Sequence, residues 1–395
     1  MNKNIKNGSN NKERPDMQLY SERQCSVCGA TDSKLIYDQP TESIIGLGSL
    51  DYHHLINMCN SCGFVFASPV LNEELINKFY ESMSNYEHPE LVGVRPDVEM
   101  RQIQRQFDII SSKFPRGFSG KALDIGCSTA VLLSQFQANG WQVLGLDPSD
   151  KCIQISKEKL NVNVIKGFFS VELLQKEMPF DLIILSHVLE HVVNPDLVIR
   201  GIRELLAEDG LLYIEVPNLM KPDNTKCYFG FEHVNFFTPV SLLNLLQVSG
   251  FSLDSIATFD NGKDISPYYP VIAMTVKKSA QNGGIIDDRD ECSKVINKYK
   301  DSINKLIYEI NAKIKKVIDM TTPGKLALWG AGIHTSQLLS ETCLSEMNVN
   351  CIFDNDPKKT GHTLSGIPIK HFPINPDELL SEIDAILISS EASEE

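Results

Sequence analysis

Residues 121–133 read Lys121-Ala-Leu-Asp124-Ile-Gly126-Cys127-Ser128-Thr-Ala130-Val-Leu-Leu133, an apolar strand that passes through small residues into a helix. Such a turn lets the first peptide groups of the helix come close to a ligand. A second strand, Gln142–Leu146, ends on Asp147-Pro148. An acid at that strand tip is placed to accept hydrogen bonds from ribose hydroxyls. The pair specifies a βαβ unit holding an adenosine-type cofactor.

The rest of the chain sets the context. Its 395 residues exceed one ordinary core, so two or three domains are expected. A hydrophobic content of 42% and a charged content of 22% are those of a globular protein. The net charge of −14 argues against nucleic-acid partners, and no apolar run is long enough to span a bilayer. The start has no signal-peptide core, so a cytoplasmic protein is expected.

Four of the ten cysteines form two knuckles, Cys25-Ser-Val-Cys28 and Cys59-Asn-Ser-Cys62. In a reducing compartment, paired CxxC knuckles read as a structural tetrahedral zinc site. A redox CxxC would leave the second knuckle unexplained. The remaining six cysteines have no ligand spacing and read as ordinary buried thiols.

The chain divides into six stretches. Residues 1–22 are polar, an expected disordered tail. Residues 23–70 form a zinc-binding module too small for its own core. Residues 71–118 read as a helical connector, with Ile103, Phe107 and Ile110 at helical spacing. Residues 119–280 alternate strand and helix, a doubly wound α/β domain whose last two strands form an antiparallel edge. Residues 285–321 are a long helix striped from Ile296 to Val317, read as a connector packed on its neighbours in preference to a coiled-coil seam. Residues 322–395 restart the pattern with Gly330-Ala-Gly332, three strands and Asp354 at a strand end: a Rossmann-like half-domain. The chain stops just after a strand, so a trimmed C-terminus is expected.

The motif Asp124-Ile-Gly126-Cys127-Ser128-Thr-Ala130 is not the dinucleotide GxGxxG. It resembles the first motif of class I S-adenosylmethionine (SAM) methyltransferases, with Ser128 and Ala130 in place of the later glycines. The resemblance implies that Gly126, with Cys127 and Ser128, admits the methionine part of SAM and that Asp147 takes the ribose. Gly167 and Phe168 would lie at adenine, and Ser186 and His187 beside the methyl group. The segment His187-Val-Leu-Glu190-His191 also matches HxxEH, an inverted metalloprotease motif, but its place after a strand and the nearby Pro195 argue against a metal.

Between the fifth strand and the next helix lies Phe229-Gly230-Phe231-Glu232-His233-Val-Asn235. A Glu–His pair suits a general base, because imidazole titrates near neutrality and a carboxylate can orient it. The alternative is a histidine that caps the helix starting near Thr238-Pro239.

The order of zinc module, methyltransferase domain with a Glu–His loop, and C-terminal half-Rossmann domain resembles the nucleotide-sugar C-methyltransferases. That resemblance implies a small-molecule substrate, a nucleotide-linked keto-deoxysugar, methylated on carbon through an enolate. His233 would be the base, Glu232 its partner, and Tyr80 and Tyr86 candidate stabilisers. The chain departs from the family at Gly230, where the family loop carries Tyr. The turn at Gly330 would hold the substrate's diphosphate or serve structure alone. Other readings are O- or N-methylation of a related metabolite, a non-catalytic SAM-binding scaffold, and an NAD-dependent oxidoreductase.

Overall fold

The computed structural model describes residues 20–41, 52–72, 74–77, 96–222, 229–260, 269–280, 283–357, 359–372 and 382–389. Seven strands form the central sheet: Lys121–Ile125, Gln142–Asp147, Val164–Lys166, Phe180–Ser186, Leu206–Pro217, Phe251–Phe259 and Val271–Lys278. Counted in chain order they lie as 3-2-1-4-5-7-6. The first five are parallel, and the seventh runs antiparallel to both its neighbours. The expected α/β fold class, a class I Rossmann-like sheet with an antiparallel edge, is thus present.

A strand covered on both faces must be apolar at successive positions, and Leu182-Ile-Ile-Leu185 is wholly buried. Leu182 and Ile184 face a layer containing Ile110, Leu133, Phe136 and Trp141. Ile183 and Leu185 face the opposite layer, with Ile199, Ile202, Leu242 and Leu245. Strand order reverses between Lys121–Ile125 and Phe180–Ser186, which opens a crevice at their carboxyl ends.

The knuckle region contributes Ser33–Thr41, Tyr52–Cys59 and Val65–Ala67 to an antiparallel sheet. Its fourth strand is Asn235–Phe236, with Asn235 opposite Phe66 and Phe236 opposite Val65. The loop bearing Glu232 and His233 therefore runs straight into the sheet of the knuckle region.

The helix Arg289–Ile318 packs along its length, as its stripe requires. Cys292, Ile296 and Tyr299 join a cluster with Ile36, Ile56, Val65 and Phe229. Ile314 joins a second cluster with Leu326, Leu328, Leu344 and Ile352. The C-terminal sheet has five strands, in the order Thr363–Leu364, Ile367–Lys370, Val349–Phe353, Leu326–Trp329 and Ala385–Ile388. Only three of these are evident in the sequence. Ile367–Lys370 is short, contains Pro368, and is held by two residue pairs, Ile352 with Ile369 and Phe353 with Lys370. Among the described residues no helix is long and apolar enough to cross a membrane.

Candidate functional site

The turn after Lys121–Ile125 wraps tightly. Gly126, Ser128 and Ala130 all have left-handed backbone, with φ of 72°, 49° and 58°. Gly126 has a further reason to be glycine, since a Cβ there would lie 2.5 Å from Val188 Cγ2. Cys127 turns its thiol into the sheet, against Gly145, and leaves only its backbone at the turn. The Ser128 and Ser149 amides donate to Asp147 Oδ2 and Oδ1 at 2.8 and 2.9 Å. These bonds brace Asp147 in one rotamer and leave each oxygen with further acceptor capacity. Burial, and then the neighbouring Asp147 carboxylate, raises the Asp124 pKa well above the usual range. Asp147 is raised as well, by burial opposed by the two amides. The Gly167 amide donates to the Asp147 carbonyl at 3.1 Å, which sets Gly167 against this strand tip, and Phe168 beside it is partly exposed. Pro148 and Ser186 sit at the two strand ends, and Ser186 Oγ accepts from Gln106 Nε2 at 2.9 Å.

Val188 joins this turn to a second group of side chains. His187 adopts φ 54°, and its Nδ1 and Nε2 donate to Glu190 Oε1 and Glu215 Oε1, each at 3.3 Å. Burial opposes charge on His187, but the two carboxylates together prevail and raise its pKa to about 9. His187 is accordingly an imidazolium at neutral pH. Glu215 is fully buried and also accepts from Arg105 at 2.9 Å, Gln106 at 3.0 Å and Tyr213 at 2.6 Å. Tyr269 Oη lies 3.4 Å from His187 Nδ1.

The Glu–His loop comes in from the other side. Glu190 and His191 sit on a short 3-10 turn, Leu189–His191, and the Val234 amide donates to the Glu190 carbonyl at 2.8 Å. His191 Nδ1 donates to the Glu232 carbonyl at 2.9 Å, and the His191 and His233 rings lie 4.9 Å apart. Burial pulls the His233 pKa down to about 3, with His191 adding to the effect, so its imidazole is neutral. The carboxylate whose charge acts on His233 is that of Glu190. Glu232 meets the neighbouring ring, His191, through its backbone oxygen, and burial raises its own carboxyl. Despite its burial, the surrounding imidazoles, His187 first, hold the Glu190 carboxyl down to about 2. The helix Pro239–Val248 is capped by Thr238, whose Oγ1 accepts from the Ser241 amide at 2.9 Å. The capping alternative for His233 is thereby set aside.

Residues of the knuckle region hold this loop in place. Arg23 donates to the Val234 carbonyl at 2.9 Å and to Asn235 Oδ1 at 2.7 Å. Asn235 Nδ2 donates onward to the Leu189 and Val192 carbonyls at 2.9 and 2.7 Å. His54 Nε2 donates to the His233 carbonyl at 2.9 Å, and burial lowers its pKa to about 4. Tyr80 and Tyr86 lie outside the described residues.

The four knuckle thiols converge, with Cys25 and Cys62 at 3.6 Å and Cys28 and Cys59 at 3.5 Å. Four bonds of about 2.3 Å to a tetrahedral zinc ion place sulfurs roughly 3.8 Å apart. This donor set fits zinc. The second knuckle abuts the long helix, because a Cβ on Gly63 would lie 2.6 Å from the Arg289 nitrogen. The Asp288 amide also donates to the Cys62 carbonyl at 3.2 Å.

In the C-terminal sheet the Ala331 and Asp356 amides donate to Asp354 Oδ2 and Oδ1 at 2.7 and 2.9 Å. This repeats the bracing of Asp147. Lys359 adds a salt bridge to Asp354 at 3.1 Å.

Residues 97–256 match the family model described as a methyltransferase domain. This segment is a methyltransferase domain. Its sheet order is that of the SAM-dependent class I type. A ubiquinone biosynthesis O-methyltransferase of Glaesserella parasuis is 31% identical over 110 residues, 26% of this chain and 47% of that protein. The C-methyltransferase NovU of Streptomyces niveus is 24% identical over 259 residues, 62% of this chain and 61% of its own. The chain thus spans about half the length of the first relative and under two thirds of the second. A Burkholderia thailandensis 1,6-didemethyltoxoflavin-N1-methyltransferase, solved with that compound and S-adenosylhomocysteine, is 19% identical, with a TM-score of 0.41 over 56% of this chain and 97% of its own.

Proposed function

We propose that the chain is a SAM-dependent methyltransferase that methylates a carbon beside the ketone of a nucleotide-linked keto-deoxysugar. The observation that carries this reading is the contact of Val188 with Gly126, which sets the histidine–glutamate pocket against the cofactor turn. Two buried carboxyls, Asp124 and Asp147, favour a ligand that brings hydrogen-bond donors and positive charge. SAM brings ribose hydroxyls, an α-amine and a sulfonium. Phe168, partly exposed beside Gly167, offers a face for adenine.

The proton acceptor is His233, with Glu232 beside it on the same loop. Removal of the C–H proton leaves an enolate, whose carbon takes the methyl group as the C–S bond breaks and S-adenosylhomocysteine departs. The protein's other task is alignment of carbon, methyl and sulfur, which the pinned loops serve. NovU, named a C-methyltransferase, shares 259 aligned residues, from both within and outside the methyltransferase domain, and this supports transfer to carbon. We also propose a structural zinc ion on Cys25, Cys28, Cys59 and Cys62. The ubiquinone relatives support transfer to oxygen as a second reading.

Solvent deuterium exchange at the substrate α-carbon without SAM separates the two. Incorporation is expected for a nucleotide ketosugar, and turnover of an alcohol acceptor without exchange would replace carbon by oxygen. His233→Ala should abolish turnover while leaving SAM affinity nearly unchanged, and an active variant would remove His233 from the reaction.

A further inference from the structure

Short routes join the four converging thiols to the loop that bears His233. One is a strand. The second knuckle closes on itself, with the Gly63 amide donating to the Cys59 carbonyl at 3.0 Å and the Cys59 amide to the Phe64 carbonyl at 2.8 Å. Only Gly63 and Phe64 separate Cys62 from the strand Val65–Ala67, which pairs with Asn235–Phe236. The Ala67 amide also donates to the Val234 carbonyl at 2.9 Å. A second route leaves the first knuckle. Only Gln24 separates Cys25 from Arg23, whose guanidinium holds the Val234 carbonyl and Asn235 and reaches the Ala67 carbonyl at 3.3 Å. A third runs through the start of the long helix. The Asp288 amide donates to the Cys62 carbonyl, and Asp288 Oδ2 accepts from the buried Thr238 hydroxyl at the far end of the loop.

Packing follows the same paths. The Phe64 ring lies 5.6 Å from Phe66 and 5.4 Å from Phe237, and all three share one core with Cys25, Cys59 and Cys62. His233 thus sits between Gly230, whose carbonyl accepts from its amide at 3.0 Å, and a segment pinned at Val234, Asn235 and Thr238. A knuckle module of this size draws its folding energy from its ion, so the anchors are only as firm as the thiolate cluster. Proton removal from carbon is sensitive to the placement of the base, and a shift of an ångström costs about two orders of magnitude in rate. The cofactor turn is braced separately, by the Ser128 and Ser149 amides on Asp147.

We propose that the thiolate zinc site positions the proton acceptor, with Arg23, the strand Val65–Ala67 and Asp288 carrying the knuckle geometry to His233. This coupling builds on the zinc and His233 roles proposed above. Arg23 and Asp288 are positioning residues, acting on His233 through the backbone and side chains of residues 234–238. Metal occupancy then governs the placement of the base and leaves SAM binding in place.

Such a coupling is reciprocal, so a change in the loop must alter zinc affinity. The test is zinc competition against a chromophoric chelator on the full-length, zinc-loaded chain without SAM or acceptor. Asn235→Ala removes the bonds to Arg23, Leu189 and Val192 and should weaken zinc about fivefold or more. Phe136→Leu, which loosens the opposite layer of the central sheet, should leave zinc affinity unchanged. Should Asn235→Ala not fold, Arg23→Ala carries the comparison. Hydrogen exchange reads the converse: after zinc is stripped, residues 230–238 should exchange at least tenfold faster while Phe180–Ser186 keeps its protection. Equal loss of protection in both segments, or zinc affinity that ignores the loop variant or falls equally with Phe136→Leu, overturns the coupling. A purified chain that binds no zinc removes ion and coupling together, whereas a zinc-bound chain with unaltered loop exchange removes the coupling alone. No methyl acceptor is present, so the outcome is independent of which atom is methylated.

Discussion

Acid should destabilise the fold through His54, and the size of the effect follows from its surroundings. The ring is fully buried, and its Nε2–H is committed to the His233 carbonyl. Burial lowers its pKa from 6.5 to about 4. The folded state therefore resists a proton that the unfolded chain accepts. The stabilising effect of the neutral ring is present in full above pH 6.5 and is lost as pH falls toward 4. Between pH 7.5 and 5.5 the linkage amounts to about 1 kcal/mol, and over the full window to about 3 kcal/mol. His54→Gln keeps an amide donor for the carbonyl but does not titrate. Urea unfolding of both proteins, followed by tryptophan fluorescence across this range, should show a steeper acid dependence in the wild type. Groups common to both proteins cancel in the difference. Equal slopes would refute the reasoning, because His54 would then titrate alike in both states.

Gly126→Ala should weaken SAM binding at least tenfold by calorimetry. Its Cβ would strike Val188, and the left-handed backbone adds about 1 kcal/mol of strain; wild-type affinity would detach this turn from the cofactor. Cys59→Ser should reduce bound zinc well below one equivalent by metal analysis and lower the soluble yield, whereas a zinc-replete variant would remove that thiol from the cluster. Arg23→Ala should lower kcat by an order of magnitude with SAM affinity unchanged, because the loop loses the bonds to Val234 and Asn235. An unaltered kcat would leave Arg23 a purely structural residue. Asp288→Ala removes the acceptor of the buried Thr238 hydroxyl and should cost about 1–3 kcal/mol in thermal or urea unfolding.

The parts legible in sequence are those written by neighbouring residues. The turn at Asp124, the apolar strand at Leu182–Leu185, and the long helix all announce themselves through local pattern. So do the knuckles, since each CxxC is a local unit. The pocket is different, because its members converge from distant positions. Arg23 and His54 precede the Val234 and His233 carbonyls they hold by 211 and 179 residues. Glu215 reads as the polar end of a strand, and only the fold shows that Arg105 and Gln106 meet it. Glu190 is visible within HxxEH beside His187, which donates to it, but its nearness to His233 is not. The bracing of Asp147 by Ser128 and Ser149 was equally hidden, because backbone amides leave no mark in a sequence.

The long helix has a topological consequence. Its first turn rests on the second knuckle, through Asp288 on Cys62 and Arg289 on the Asn60 carbonyl. Its last turns enter the core of the C-terminal sheet. The helix Ile333–Glu341 beside that sheet in turn touches the knuckle sheet, where Tyr37 Oη donates to Glu341 at 3.2 Å. The knuckle region, the helix and the C-terminal sheet thus close a circuit of noncovalent contacts, unlike beads strung on linkers. A backbone cut between Lys278 and Asp288 would leave two fragments still joined by these contacts, with all four knuckle cysteines on one of them.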